Sequence, residues 1–179
     1  ARVVYHKGTD RSAFLMGQVD KYSWQDTGSS FGLSDVLAAY LVAQLERRTW
    51  VLERRRSVFD RYASLLAPHA EELGFRVPVV PAGRTQGYHM FYVLFEDRPT
   101  RDSVLGSLRA AGIHATFHYV PLHSSTGGRR VAAAEADCPV TDDASGRLLR
   151  LPFFNELTDD EIDLVVDRLL TAARTARSV

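Results

Sequence analysis

The sequence predicts an α/β fold in which a small layer of strands and helices follows one long helical segment. From Ser34 to about Leu66, apolar residues recur at the spacing of a helix with one buried face. After Gly74, short apolar runs alternate with amphipathic stretches in the order strand, helix, strand, loop, strand, helix. A chain of 179 residues with 45% hydrophobic content is long enough to bury a core of its own.

The long helical segment carries a start signal and a change of phase. Ser34 is a suitable N-cap, and Asp35 is favoured in the first turn because the N-terminus of a helix is electropositive. The first apolar stripe consists of Leu37, Tyr40, Leu41 and Leu45, and the second of Val51, Val58, Phe59, Tyr62, Leu65 and Leu66. Helices in compact domains usually run for about 8 to 20 residues. We therefore expect a break near Arg48 to Leu52, and partial burial against a second subunit or domain.

Three apolar runs predict the strands of the small layer. Tyr88 to Phe95 is long enough to be buried on both faces, and His114 to Val120 and Arg147 to Pro152 follow it. Between the first two runs, Thr100 is predicted to cap a helix that Gly112 ends.

The C-terminal third combines a loop with two further helices. We expect a loop from Ser124 to Gly128 and a short helix from Val131 to Ala136. Thr158 to Glu161 forms a capping box at the start of the last helix. The predicted buried face of that helix consists of Ile162, Val165, Val166, Leu169 and Leu170.

Composition argues against several classes of partner. The chain has 22 basic and 22 acidic residues, so no net charge attracts nucleic acid. The run Arg54 to Arg56 has acidic neighbours, and we expect a solvated helix face there. No stretch reaches the roughly 20 apolar residues of a membrane span, and Ala1 to Val4 lacks the apolar region of a signal peptide. With Cys138 as the single cysteine, we expect a cytoplasmic protein without nucleic-acid or membrane partners.

Histidines are the first candidates for chemistry. His114 and His118 would share a face on a helix, but on the predicted strand they lie about 13 Å apart at roughly 3.3 Å per residue. Two zinc ligands cannot be that far apart, so no metal site is expected. His123 differs because Pro121 ends the strand before it. It is therefore expected at a strand end, where ligands collect in α/β layers.

A serine motif supplies a rival hypothesis. Gly28-Ser29-Ser30-Phe31-Gly32 matches the G-x-S-x-G pattern of α/β-hydrolases. Ser30 would be the nucleophile, His123 the base, and Asp97 or Asp102 the group that orients the base. The motif needs a buried strand in front of it, and the polar segment Lys21 to Thr27 does not provide one.

The same small residues suit a different use. Backbone N–H groups and the hydroxyls of Ser29 and Ser30, placed shortly before a helix, can bind an anion such as phosphate. By itself, a Gly/Ser loop is a weak signal of that use.

Five sequence blocks in order resemble one family. They are Gly17-Gln18-Val19-Asp20-Lys21-Tyr22-Ser23-Trp24; Gly28-Ser29-Ser30-Phe31 with Ser34-Asp35; His89-Met90-Phe91-Tyr92; Phe117-His118-Tyr119-Val120-Pro121-Leu122-His123; and Arg147-Leu148-Leu149-Arg150-Leu151-Pro152. Together they resemble the C-terminal half of the sugar-nucleotide aminotransferases, most closely the dTDP-4-amino-4,6-dideoxygalactose transaminases. The resemblance extends from about Lys7 to Leu170.

The resemblance implies an aspartate-aminotransferase-type fold, fold type I, represented here by the C-terminal small domain without most of the large domain. In this reading, residues 1–33 are the end of the large-domain region with a phosphate-facing loop, residues 34–67 a long, kinked linking helix, and residues 68–179 the small α/β domain. It further implies pyridoxal 5'-phosphate as cofactor, glutamate and a dTDP-linked keto-sugar as substrates, and a homodimer with active sites at the interface.

Site residues follow from the same resemblance. In that family, the segment that matches Gly28 to Phe31 reaches the partner subunit's cofactor phosphate, so the resemblance implies Ser29 and Ser30 as cofactor-binding residues. Ser-Ser at this place is similar to the dideoxygalactose branch of the family. Lys21, His118, Tyr119 and His123 are implied on the substrate side. The Schiff-base lysine of the family lies upstream of the matched blocks, so no catalytic residue is assigned and the chain alone is expected to be inactive. A sugar-nucleotide binding module without catalysis is the third hypothesis.

Overall fold

The computed structural model describes residues 1–133 and 137–178 and divides into two compact units, Ala1–Arg48 and Thr49–Val179. The unit boundary falls inside the segment that the sequence predicts as one long helix. The three-part division at residues 33 and 67 stays a prediction. Residues 134–136 of the predicted helix Val131–Ala136 lie outside the described residues.

The N-terminal unit contains helices α1 (Arg2–Tyr5), α2 (Arg11–Leu15) and α3 (Asp35–Glu46). Ser34 caps α3 as predicted, and its hydroxyl oxygen accepts a hydrogen bond from the Leu37 N–H at 3.3 Å. The apolar stripe of α3 is exposed throughout. Its burial against a second subunit or domain therefore stays a prediction.

The predicted long helix is broken at Arg47. Helix α3 ends at Glu46, Arg47 leaves the helical conformation with φ −90° and ψ 5°, and helix α4 spans Arg48–Leu66. The break lies just before the predicted range. The buried residues of α4 are Val58, Phe59, Tyr62 and Leu66, all of which belong to the predicted second stripe.

The C-terminal unit contains a four-stranded sheet with the order β1-β2-β4-β3, in which every neighbouring pair is antiparallel. Its strands are β1 (Phe75–Arg76), β2 (Tyr92–Phe95), β3 (Thr116–Phe117) and β4 (Leu148–Arg150). In parallel sheets, all strands end at one edge. Antiparallel pairing removes that common edge, and with it our reason for expecting a ligand beside His123.

The strands are shorter and less buried than predicted. The run His114 to Val120 contributes only β3. Among the described residues, β4 is the one strand that pairs with it, and β4 begins only after a helix ends at Arg147. In β2, Val93 and Phe95 are buried whereas the residues between and before them are only half-buried. The run Tyr88 to Phe95 therefore has one core face, and not two.

Helices account for most of the C-terminal unit. A 3-10 turn (Ala67–His69) follows α4, and the remaining helices are α5 (Arg98–Ala110), α6 (Thr126–Val131), α7 (Pro139–Arg147) and α8 (Asp159–Arg177). The predicted buried face of α8 is confirmed at all five positions, as is the capping box formed by Thr158 and Glu161.

Two local predictions about these helices are wrong. Asp97 caps α5, because its carboxylate accepts from the Thr100 N–H at 2.8 Å, so Thr100 is not the cap. Helix α6 begins at Thr126, inside the predicted loop, since the Ser125 hydroxyl accepts from the Gly128 N–H and closes a first turn. Helix α7 has few apolar residues, and its pattern escaped the sequence analysis.

The core of the C-terminal unit joins α4, α5 and α8 to one face of the sheet. At its centre, the ring of Tyr62 stacks on Phe91 at 5.1 Å, and its hydroxyl donates to the Pro152 carbonyl at 3.0 Å. Burial raises the pKa of Tyr62, so the phenol stays a neutral donor.

The arginine run of α4 is not the solvated face that the sequence indicates. Arg54 donates to the Asn155 carbonyl at 3.1 Å. Arg55 donates to the carbonyls of Tyr88 and His89 at 2.6 Å each, and burial lowers the pKa of Arg55. These two residues tie α4 to chain segments that are distant in sequence, whereas Arg56 remains exposed. Within residues 1–133 and 137–178, no helix is both long and apolar enough to span a bilayer.

Candidate functional site

The Gly/Ser loop of the N-terminal unit crosses the chain near Gly8 at very short range. A Cβ atom on Gly28 would lie 1.9 Å from the Gly8 nitrogen, and a Cβ on Gly8 would lie 1.8 Å from the Asp26 oxygen. Gly8 also has φ +81°, which other residues rarely adopt. Both glycines are therefore required for this crossing, which fixes the position of the start of the Gly/Ser loop.

Hydrogen bonds hold the same crossing. The Gly8 carbonyl accepts from the N–H groups of Gln25 and Asp26 at 2.6 and 3.0 Å. The Asp10 carboxylate accepts from the Ser23 N–H at 2.6 Å and from the Gln25 amide at 3.0 Å. The loop is thus anchored on its N-terminal side.

The two predicted cofactor-binding serines differ in whether their hydrogen-bond donors are free. The N–H and the hydroxyl of Ser29 both donate to the Val4 carbonyl, at 2.9 and 3.3 Å. Ser30 is exposed, and its N–H and hydroxyl have no partner among the described residues. Ser29 therefore secures the loop, and Ser30 presents the available donors. Helix α3 begins only at Asp35, so these donors do not belong to its first turn.

The hydrolase hypothesis fails on its geometry. A nucleophile elbow needs a strand before the serine, but Lys21–Thr27 contains only an isolated bridge between Thr9 and Trp24. Asp97 is occupied as the cap of α5, and Asp102 pairs with Arg101 at 2.8 Å. Neither aspartate orients His123.

His123 has a different carboxylate partner. Its Nε2 lies 3.0 Å from the Asp142 Oδ2, and its side chain is 16% exposed. The pair joins the segment after β3 to helix α7. His123 thus keeps one ring edge bonded to the protein, and sequence reasoning missed Asp142 because α7 was not predicted.

His118 and Tyr119 lie together at the end of β3, with ring centroids 5.3 Å apart. The Nδ1 of His118 is buried and has no hydrogen-bond partner within the described chain. Burial, with smaller contributions from the nearby positive charges of Arg150 and His89, holds the pKa of His118 below its ordinary value. Near neutral pH the ring is therefore an uncharged imidazole.

Arg150 completes this cluster and was not singled out from the sequence. Its guanidinium carbon lies 5.8 Å from the centroid of the Tyr119 ring, and its Nε is buried without a partner in the described residues. An arginine inside the otherwise apolar block that ends at Pro152 was the available signal. Lys21, by contrast, lies exposed in the N-terminal unit.

A groove of about 830 Å³ lies on the face of the sheet away from the core. Arg76, Tyr92 and Leu94 contribute side chains from the strands, and Ala70, Glu71, Gly74, Phe75, Val77, Val79, Phe95, Glu96 and Arg147 complete the lining. The described residues contain no group of three or more His, Cys, Asp or Glu side chains that could hold a metal ion.

Two solved aminotransferases have a similar fold over this part of their chains. The aminotransferase TlmJ from Streptoalloteichus hindustanus matches with a TM-score of 0.82 and 25% identity over 97% of this chain and 44% of its own. PseC from Helicobacter pylori, an aminotransferase involved in the biosynthesis of pseudoaminic acid, matches with a TM-score of 0.81 and 16% identity over 97% of this chain and 45% of its own. The predicted aspartate-aminotransferase-type small α/β domain is confirmed.

Residues 5–170 match the DegT/DnrJ/EryC1/StrS aminotransferase family, and the chain belongs to that family. It is 31% identical, over 82% of its length, to a dTDP-3-amino-3,4,6-trideoxy-alpha-D-glucose transaminase from Micromonospora megalomicea subsp. nigra. It is 28% identical, over 96% of its length, to a dTDP-4-dehydro-2,3,6-trideoxy-D-glucose 4-aminotransferase from Saccharopolyspora spinosa. The chain spans only 39% and 44% of these two relatives.

Proposed function

We propose that the chain is the C-terminal part of a pyridoxal-phosphate-dependent transaminase that moves an amino group from glutamate to a dTDP-linked 4-keto-6-deoxy sugar. The family match over residues 5–170 carries this proposal. Both curated relatives are named as transaminases of dTDP sugars, one for a 3-amino sugar and one for amination at position 4. The choice of position 4 rests on the sequence resemblance to the dideoxygalactose branch.

The cofactor proposal rests on the Gly/Ser loop. A sugar aminotransferase from Streptococcus pneumoniae that shares this fold, with a TM-score of 0.78, was solved in its PLP form. When bound, such a cofactor supplies an electron sink for the carbon that loses its proton. Ser30 has a free hydroxyl and N–H that fit a phosphate, and Ser29 fixes the loop that presents them. We assign Ser30 to the phosphate of the partner subunit's cofactor in a homodimer.

The amine that holds the cofactor is proposed to come from a segment outside these residues. The chain has two lysines, Lys7 and Lys21, and neither matches the Schiff-base lysine in the family resemblance. An unprotonated amine at the cofactor both binds it and moves the substrate proton. The 179 residues alone are therefore expected to be inactive.

On the substrate side, we assign Lys21, His118, Tyr119 and His123 to contacts with the sugar nucleotide. His118 and Tyr119 support this by their shared position at the end of β3. His123 is held by Asp142, which leaves its Nδ1 edge for a substrate group.

Turnover in a longer polypeptide tests the proposal. A protein that carries this chain behind the missing lysine segment should convert glutamate to 2-oxoglutarate in the presence of a dTDP-linked 4-keto-6-deoxy sugar. Ser30→Ala should weaken cofactor affinity by about ten- to a hundred-fold, because it removes one hydrogen bond to a charged group. The variant should retain turnover at saturating cofactor. Ser29→Ala is the matched control and should change cofactor affinity much less.

Three outcomes would contradict the proposal. Loss of all turnover in Ser30→Ala at saturating cofactor would assign the serine to the chemical step. Borohydride trapping of the cofactor at Lys7 or Lys21 in the 179-residue chain would show that the amine is already present. Saturable dTDP-sugar binding by the longer protein without any turnover would favour the binding module.

A further inference from the structure

His118, Tyr119 and Arg150 form a cluster in which two buried nitrogen atoms have no partner. His118 Nδ1 and Arg150 Nε are shielded from solvent, and neither has a hydrogen bond within the described chain. The Tyr119 ring lies beside both groups, 5.3 Å from the His118 ring and 5.8 Å from the guanidinium carbon of Arg150. An arginine Nε–H is always a donor, so its burial without an acceptor costs free energy that a bound acceptor would recover.

Arg150 gives the cluster a positive charge, and no carboxylate within residues 1–133 and 137–178 pairs with it. Arg150 and, to a smaller extent, the nearby His89 add to the effect of burial in lowering the pKa of His118. Among the described residues, no ion pair includes Arg150. Arg147, which directly precedes the same strand, instead has Asp143 as its partner. Arg150 is therefore left without an anionic partner among the described residues, whereas the neighbouring Arg147 pairs with Asp143.

The sheet holds Arg150 in a fixed position. Its Cα lies opposite Tyr92 in β2 and opposite Thr116 in β3. The adjacent pair Val93 and Leu149 is fully buried in the core, so Arg150 belongs to the opposite face of the sheet. A guanidinium on a paired strand is better oriented for a ligand than one on a loop.

We propose that Arg150 and His118 bind an oxyanion of the substrate, either a carboxylate of the amino-acid donor or a phosphate of the sugar nucleotide. The Nε edge of a guanidinium can donate two parallel hydrogen bonds to such a group, and the imidazole supplies a third donor. The assignment of the anion to a substrate rests on the function proposed above. The binding of an anion at the cluster is independent of that function.

Histidine NMR on the 179-residue chain tests the site without cofactor or turnover. The His118 signal is identified by its loss in His118→Gln, and the other five histidines serve as internal references. The chain is titrated with dTDP and, separately, with glutarate at constant ionic strength. At least one of them should raise the pKa of His118, because a bound anion favours the imidazolium. A response to dTDP alone assigns a phosphate, and a response to glutarate alone assigns a carboxylate.

Variants separate the site from general charge effects. Arg150→Gln should raise the pKa of His118 without ligand, because it removes a positive charge, and should weaken anion binding at least about tenfold. Arg150→Lys keeps the positive charge but loses the two parallel N–H donors of the guanidinium. Its affinity for the anion should therefore lie between those of the unsubstituted chain and Arg150→Gln. Arg109→Gln removes a charge from the last turn of α5, on the core side of the sheet, and should bind like the unsubstituted chain. Thermal unfolding checks that each variant is folded.

The proposal is overturned if neither anion shifts the His118 signal, or if folded Arg150→Gln binds as tightly as the unsubstituted chain. If Arg150→Gln does not fold, the unsubstituted titration and Arg150→Lys decide. If the 179-residue chain binds an anion at the cluster but the longer protein shows no turnover, only the proposed function is refuted. If the longer protein shows turnover but the 179-residue chain binds no anion at the cluster, only the anion site is refuted.

Discussion

At the scale of single residues, the side chains that define the site are those whose polar atoms the fold leaves without partners. Ser30 is exposed and its hydrogen-bond donors are free, whereas both donors of Ser29 bond to the Val4 carbonyl. His118 and Arg150 each bury one nitrogen without a partner among the described residues. In the same unit, Arg101 Nε is also buried without a hydrogen bond, but it lies 2.8 Å from the Asp102 carboxylate, and the buried Tyr62 hydroxyl donates to Pro152. Buried nitrogen atoms with neither a hydrogen bond nor a carboxylate beside them therefore mark positions that serve something other than stability.

The lowered pKa of His118 predicts a pH dependence of stability. Folding favours the neutral ring, so this contribution to the free energy of unfolding is fully present above the unfolded pKa of about 6.5 and is lost as pH falls through the lower folded pKa. His118→Gln should therefore lose less stability than the unsubstituted chain between neutral and mildly acidic pH. Denaturant unfolding at a series of pH values measures this difference in the free energy of unfolding.

Arg150→Gln is the companion variant for that experiment. It removes one of the causes that lower the pKa of His118, so it should also flatten the acid side of the stability profile. An unchanged slope in His118→Gln would show that the acid sensitivity of the chain comes from other groups.

At the scale of elements, helices were predicted better than strands because their signals are local. The capping box and buried face of α8 depend on residues three or four positions apart, and both are confirmed. Strand β3, in contrast, stops at Phe117, because the strand that pairs with it in the described part of the chain, β4, has three residues and lies about thirty positions later. The run His114 to Val120 contains no information about that partner's length.

The capping box of α8 should carry a measurable share of stability. Thr158 accepts from the Glu161 N–H at 3.3 Å, and Glu161 accepts from the Thr158 N–H at 2.8 Å. Thr158→Ala should lower the free energy of unfolding by about 1 kcal/mol, since it leaves helix donors unsatisfied. Denaturant titration of the purified chain gives the value.

Thr175→Ala is the matched control on the same helix. Thr175 is exposed, and its hydroxyl bonds only to the Thr171 carbonyl one turn earlier, so its loss should cost little. Equal destabilisation by both substitutions would show that the cap contributes nothing beyond the loss of a threonine.

At the scale of the whole molecule, apolar burial is unevenly distributed. The buried apolar side chains of the described residues all lie between Val58 and Ala173, in the C-terminal unit. In the N-terminal unit, large side chains such as Trp24, Phe31 and Tyr40 are exposed. Large apolar side chains that are exposed in such number indicate a surface that another chain segment or subunit covers. The family's homodimer and large domain, both proposals here, would supply one.

Removal of the N-terminal unit should therefore leave a folded protein. A chain that starts at Arg48, the first residue of α4, retains the whole core and should unfold cooperatively with a midpoint within a few degrees of the 179-residue chain. It should also bind less of a fluorescent dye that reports exposed apolar surface. An unfolded product, or unchanged dye binding, would contradict this division of the chain.

The sequence by itself determined the Ser34 cap of α3, the capping box of α8, the buried faces of α4 and α8, and the family. It did so because helical period, capping and family motifs depend on neighbours along the chain. Only the tertiary structure decided the antiparallel order of the sheet, the pairing of His123 with Asp142, and the placement of Arg150 beside Tyr119. These features join residues that are 18 or more positions apart. They depend on which distant segments pack together, and local patterns do not encode that choice.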